Sequence, residues 1–116
     1  YRTAAAQAPR EPLILAGLGR AQLATGDVAA ALRTLEAARA RDVTNGRLLR
    51  DLASAYARAG QRAMATLLAA ERYALQGRLE DAGLQAERAA DGLPRGSGAW
   101  QRAQDVITAA ERAARQ

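Results

Sequence analysis

The sequence from Leu15 to Asp42, LAGLGRAQLATGDVAAALRTLEAARARD, predicts two helices joined by a tight turn. Leu15 and Leu18 are three residues apart, so they lie on one side of the first helix. Gly26 ends that helix, because glycine adopts the left-handed conformation of a helix end at little steric cost. Asp27 then stands at the N-cap of the next helix, where its carboxylate accepts from free backbone amides. The stretch therefore predicts a helical hairpin.

Small residues indicate that the two helices of this hairpin approach each other closely. Gly19 on the first helix and Ala31 on the second leave room for the opposite backbone. A single hairpin cannot bury the apolar faces of both its helices, so it needs neighbouring helices on either side. The apolar face of the second helix consists of Val28, Ala31, Leu32, Leu35 and Ala38.

The same pattern returns 34 residues later in the chain. Leu49, Leu52, Ala53, Tyr56, Gly60 and Ala65 take the places of Leu15, Leu18, Gly19, Gln22, Gly26 and Ala31. This period and these residue types resemble the tetratricopeptide repeat. The resemblance implies an all-α, right-handed superhelix of antiparallel helix pairs. The first copy departs from the family pattern at Gln22, where the family has tyrosine, and at Val43, where it has proline.

Turn residues divide the chain into about six helices, which we predict over 12–25, 28–41, 47–59, 62–76, 79–92 and 98–115. Residues 1–11 are expected to be the tail of a preceding helix and a linker. Repeats are expected over 12–45 and 46–79, with an overlapping register over 63–94 because Gly77 follows Gly60 by half a repeat. Residues 95–116 are expected to form a C-terminal capping helix, with Arg102 facing water.

A structural core follows from these repeat positions, and its aromatic residues are expected to pack between helices. The predicted core residues are Leu18, Gly19, Gly26, Ala31, Leu52, Tyr56, Gly60, Tyr73, Gly77, Ala82 and Trp100.

Composition argues against catalysis by this chain. It contains neither histidine nor cysteine, which removes the usual general bases, thiol nucleophiles and most zinc ligands. We therefore predict no catalytic residue, no metal site and no cofactor in this chain. All 17 basic residues are arginine and the net charge is +5. The complete use of arginine in place of lysine is explained most simply by a high-GC coding bias.

The tetratricopeptide resemblance implies a peptide-binding groove on the concave face. Its positions correspond to Leu13, Gly17, Arg20, Leu23, Arg47, Arg50, Asp51, Ser54 and Arg58, of which Arg20, Leu23, Arg47, Arg50, Ser54 and Arg58 form the predicted binding set. Arginines in a groove suit an acidic protein or peptide partner. The alternatives are a solvated polar face and, as a third reading, a nucleic-acid site. We expect no nucleic-acid binding, because the aromatic residues are assigned to the core.

The run from Ala70 to Ile107 is also similar to the C-terminal repeat region of bacterial periplasmic zinc metalloproteases of the BepA-like type. The resemblance rests on Tyr73, Gly77, Ala82, Pro94, Ser97, Trp100 and the run from Arg102 to Asp105. It implies a periplasmic, non-catalytic tail that engages substrates, assembly partners or its own protease domain. An HExxH zinc site would then lie upstream of Tyr1, and the chain is expected to be part of a longer protein.

The alternative to the protease tail is a generic scaffold in the cytoplasm. No apolar run is long enough to span a membrane. The chain is expected to be a monomer or to self-associate weakly.

Overall fold

The computed structural model describes residues 12–42 and 44–116, which form six α-helices. These two ranges contain no strand, so the predicted all-α fold of six helices is confirmed. The tail and linker predicted over 1–11 lie outside the described residues, as does Val43. The helices are α1 (Pro12–Ala24), α2 (Val28–Arg41), α3 (Gly46–Arg58), α4 (Arg62–Leu75), α5 (Leu79–Gly92) and α6 (Gly98–Ala114).

Three helices begin at polar side chains that cap their first turns. The Asp27 carboxylate at α2 accepts from the backbone amide three residues later, at 3.2 Å. Asn45 at α3 and Ser97 at α6 accept from the equivalent amides, each at 3.1 Å. Each of these side chains satisfies an amide that has no partner within its helix.

One type of glycine turn connects α1 to α2, α3 to α4 and α4 to α5. Gly26, Gly60 and Gly77 have φ angles of +88°, +78° and +78°. In each turn the residue after the glycine donates its amide to the carbonyl four residues before the glycine, at 2.9–3.0 Å. Other residues adopt this left-handed conformation only with strain, so glycine at these positions determines where the chain reverses.

The six helices form two three-helix units, α1–α3 and α4–α6. In each unit the middle helix packs against both others, and the first helix also contacts the third. The units are joined where α3 packs against α4. The helix α4 is therefore both the hairpin partner of α3 and the first helix of the second unit. The resulting stack measures 49 × 27 × 22 Å.

Corresponding positions in the two units lie 51 residues apart in the sequence. The bounds of α5 follow those of α2 at this spacing, from Val28 to Leu79 and from Arg41 to Gly92. Burial follows the same rule. The fully buried Leu35 and Leu52 of the first unit correspond to the fully buried Ala86 and Ala103 of the second. Side chains of the two units can therefore be compared position by position.

An ion pair joins the first and third helices of each unit. Arg20 Nε lies 3.2 Å from Asp51 Oδ2 in the first unit. In the second unit, Arg102 donates to Glu71 Oε2 through Nε at 3.0 Å and to Oε1 through Nη2. Arg20 corresponds to Glu71, and Asp51 corresponds to Arg102. The two ion pairs are therefore equivalent in position, but the first helix carries the cation in the first unit and the anion in the second. The prediction that Arg102 faces water is wrong, because Glu71 holds its guanidinium against α4.

Two apolar clusters lie along the stack, one mainly within α1–α3 and one within α4–α6, and α4 also contributes Leu68 to the first. The first is rich in leucine and includes Leu35 and Leu52, whereas the second is mostly alanine, around Leu67. In the first unit a Cβ added to Gly19 would lie 2.6 Å from Cγ of Leu35, so the leucine side chain occupies the space that a side chain at position 19 would need. The corresponding positions of the second unit are Ala70 and Ala86, both fully buried.

The predicted core residues fall into three groups. Gly19, Ala31, Leu52, Tyr56 and Ala82 are buried, whereas Gly26, Gly60 and Gly77 are exposed in turns. Leu18, Tyr73 and Trp100 are only half-buried. Leu18 lies beside the core because the buried face of α1 runs through Ala16 and Gly19 instead. Trp100 lies in the first turn of α6, and the deeper positions of that helix belong to Ala103 and Val106.

Candidate functional site

The outward surface of α3 carries three exposed members of the predicted groove. Arg47, Arg50 and Ser54 are exposed and lie three to four residues apart, so they form one stripe along the helix. We call these three residues the arginine face. Within residues 12–42 and 44–116, neither arginine of this face has an ion-pair partner.

The other predicted groove residues join α1 to α3. Arg20 is paired with Asp51, and Arg58 donates through Nη1 to the backbone carbonyl of Leu23 at 2.8 Å. That carbonyl is in the last turn of α1, where a cation also opposes the negative end of the helix dipole. Both arginines are therefore engaged within the fold at the edge of the arginine face.

Two groove positions expected from the resemblance are not accessible. Leu23 is 8% exposed and belongs to the first apolar cluster, so its prediction as a groove residue is wrong. Gly17 is also buried. The cause is the rotation of α1, whose apolar side turns toward α2 and α3. Leu13, in contrast, is 72% exposed.

A cluster of paired charges lies where the two units meet. Arg39 Nε donates to Glu36 Oε1 at 2.7 Å, and the hydroxyl of Tyr56 donates to the other oxygen of Glu36. A cavity of about 190 Å³ next to this network is lined by Arg39, Glu71 and apolar side chains. The sequence does not reveal the network, because Tyr56 comes from a different helix than Glu36 and Arg39 and the three match no motif.

The network shifts the pKa values of its members. Burial alone would raise the pKa of Glu36, but hydrogen bonds from Arg39 and Tyr56 outweigh it and lower that pKa below 4.5. Burial and the bond to Glu36 raise the pKa of Tyr56 well above its usual value of 10.0. Burial would lower the pKa of Arg102, but its hydrogen bonds to Glu71 raise it. Glu36 and Arg102 therefore favour their charged forms, and Tyr56 favours its protonated form.

The lowered pKa of Glu36 predicts a loss of stability in acid. The unfolded chain binds a proton at Glu36 near pH 4.5, whereas the folded chain binds it only at lower pH. The contribution of this carboxylate is therefore complete above pH 4.5 and disappears as the pH falls through the folded pKa. We expect Glu36→Gln to reduce the fall in melting temperature between neutral pH and about pH 3.

Glu87→Gln is the matched control for that experiment, since Glu87 is the corresponding residue of the second unit and has no ion-pair partner in the described part of the chain. It should leave the acid dependence close to that of the parent chain. Equal acid sensitivity of Glu36→Gln and the parent would contradict the assignment. Circular dichroism during heating measures both.

Tyr73 packs against neighbouring side chains of the fold. The guanidinium of Arg78 lies 4.4 Å from the ring centre of Tyr73, which is a cation–π contact. Tyr73 also packs against the second apolar cluster.

Among the described residues there is no group of three acidic side chains placed to hold a metal ion. None of the six helices is both long and apolar enough to cross a membrane.

Comparison with known proteins adds no assignment to this geometry. No protein-family model, curated protein or solved structure matches the chain.

Proposed function

We propose that this chain is a non-catalytic protein-binding module that holds an acidic peptide segment on the arginine face. The observation that carries the proposal is the exposure of Arg47 and Arg50 on one side of α3, each without an ion pair in the described part of the chain. The net charge of +5 favours the approach of an acidic partner.

The arginine face has the chemistry that carboxylate recognition needs. A guanidinium donates two parallel hydrogen bonds to one carboxylate, and such charge-assisted bonds are stronger than neutral ones. The backbone of α3 holds the two guanidinium groups one turn apart, and Ser54 adds a hydroxyl on the same stripe. Arg20 and Arg58 connect α1 to α3 beside the arginine face, which favours a preformed surface and a smaller entropic cost of binding.

Charge reversal tests the proposal. The double variant Arg47→Glu/Arg50→Glu should bind a short fluorescein-labelled peptide of glutamate and leucine at least about tenfold more weakly than the parent, because two charge-assisted contacts are lost. Fluorescence anisotropy at low salt measures the affinity. The affinity of the parent should fall as salt is added, since the contacts are on the surface.

The matched control is Arg33→Glu/Arg88→Glu, which makes the same change in net charge at two exposed arginines on α2 and α5. It should retain most of the affinity. Equal losses in the two double variants would mean that the net charge attracts the peptide and would contradict a site. Binding of a single-stranded oligonucleotide in preference to the peptide would instead favour the nucleic-acid reading.

The narrower form of the proposal is a periplasmic tail of a zinc metalloprotease. Its support is the sequence resemblance over Ala70–Ile107, a run that covers the second half of α4, all of α5 and part of α6. The chain has no histidine, so its own residues do not fit a zinc site of the HExxH type, and the metal would be held elsewhere in a longer protein. An HExxH motif encoded upstream of Tyr1 would support this form. An unrelated upstream domain would favour the cytoplasmic scaffold.

A further inference from the structure

A groove of about 560 Å³ lies between α5 and α6, on the opposite unit from the arginine face. Its floor is apolar, and its most prominent side chain, Leu84, is 51% exposed. The other apolar lining residues are Ile107, Ala110, Ala113 and Ala114, and carboxylates of Glu80, Glu87 and Glu111 stand around them. We call this feature the α5–α6 groove.

The first unit shows why the groove is open. Glu87 corresponds to Glu36, whose carboxylate receives hydrogen bonds from Tyr56 and Arg39. At the corresponding positions the second unit has Ile107 in place of the tyrosine and Ala90 in place of the arginine. Glu87 therefore keeps the place of Glu36 and lacks both of its donors.

Replacement of the tyrosine also removes volume. In the first unit the ring of Tyr56 is buried in the apolar cluster beside α2. In the second unit Ile107 is shorter, and Gly83 stands where the first unit has Leu32. A Cβ added to Gly83 would lie 2.7 Å from Cβ of Ala110, so α5 and α6 are in close contact beneath the groove. The floor is thus smooth and apolar.

The shape and charge of the groove indicate what covers it. Among the described helices, only α4 and α5 pack against α6, so its groove side has no helical neighbour in this part of the chain. Among the described residues, none of the three carboxylates around the groove has an ion-pair partner. An occupant that is helical, apolar on one side and basic along its edges complements both features.

We propose that the α5–α6 groove docks a basic amphipathic helix of a partner protein, with a cation of that helix paired to Glu87. The helix places leucine-like side chains on Leu84 and Ile107. Its arginine or lysine takes the position that Tyr56 and Arg39 occupy at Glu36 in the first unit. The site is separate from the arginine face and selects a partner of the opposite charge.

The experiment uses a fluorescein-labelled amphipathic helical peptide with a leucine face flanked by arginines, titrated against the chain by fluorescence anisotropy. Ile107→Tyr is the decisive variant, because it restores the tyrosine of the first unit, fills the groove and gives Glu87 an internal donor. It should weaken peptide binding at least about tenfold while the melting temperature stays the same or rises. Glu87→Lys should weaken binding to a similar degree.

Asp91→Lys is the matched control, since it makes the same charge change at an exposed residue of α5 that does not line the groove. It should retain binding, as should Arg47→Glu/Arg50→Glu, so that failure here is distinguishable from failure of the arginine face. Undiminished binding to both Ile107→Tyr and Glu87→Lys would overturn the proposal, as would equal affinity for a peptide with glutamate in place of arginine. A parent chain that dimerises in sedimentation and becomes monomeric on Ile107→Tyr would also overturn it, because a second copy would then be the occupant.

Discussion

Tyr56→Ala is expected to lower the free energy of unfolding by about 3 kcal/mol, because it empties a large volume in the first apolar cluster. The ring of Tyr56 lies among buried residues of that cluster, and its hydroxyl donates to Glu36. The variant therefore loses apolar burial and leaves a half-buried carboxylate with one donor fewer. Urea denaturation followed by circular dichroism measures the change.

Tyr56→Phe separates the two contributions. It keeps the ring and removes only the hydrogen bond to Glu36, so we expect a loss of about 1 kcal/mol. An alanine variant within about 0.5 kcal/mol of the parent would show that Tyr56 is not part of the core.

Leu35→Ala is expected to cost a similar amount, about 3 kcal/mol, from packing alone. Leu35 is fully buried and its side chain lies against Gly19 of α1. Glycine has no side chain that could move into the space, so most of the cavity should remain. The same urea titration measures the loss.

Leu13→Ala is the control for that variant, since it removes the same atoms from a side chain that is 72% exposed. Its effect should stay within about 0.5 kcal/mol. If Leu35→Ala were equally mild, α1 and α2 would not be packed as described.

Much of the fold could be predicted because its signals are local. Gly26, Gly60 and Gly77 mark the turns, and Asp27 and Ser97 mark helix starts, through contacts within a few residues. The predicted helix ends accordingly lie within one residue of the observed ends. The buried face of each helix is harder to predict. In α1, Ala16 and Gly19 are buried, whereas the larger Leu18 is only half-buried.

The candidate sites depended on long-range geometry that the sequence alone does not reveal. Arg20 and Asp51 are 31 residues apart, as are Glu71 and Arg102, and only the packed helices bring them together. Leu23 matched a groove position of the repeat family but is buried by the rotation of α1. The α5–α6 groove could not be predicted from the sequence, because it is the volume that Ile107 leaves open where the first unit has the larger Tyr56. The binding partner, the cellular location and the resemblance to a protease tail stay predictions.

The opposite polarity of the two interhelical ion pairs has a consequence for assembly. The units share glycine turns and alanine-lined helices, so α6 is similar enough to α3 to compete for its place, either within one chain or between two chains. Such an exchange would bring Arg20 to Arg102 and Glu71 to Asp51, and like charges would meet at partly buried positions. The reversed polarity therefore opposes the packing of α6 in the first unit or of α3 in the second, so each third helix is matched by charge to its own unit.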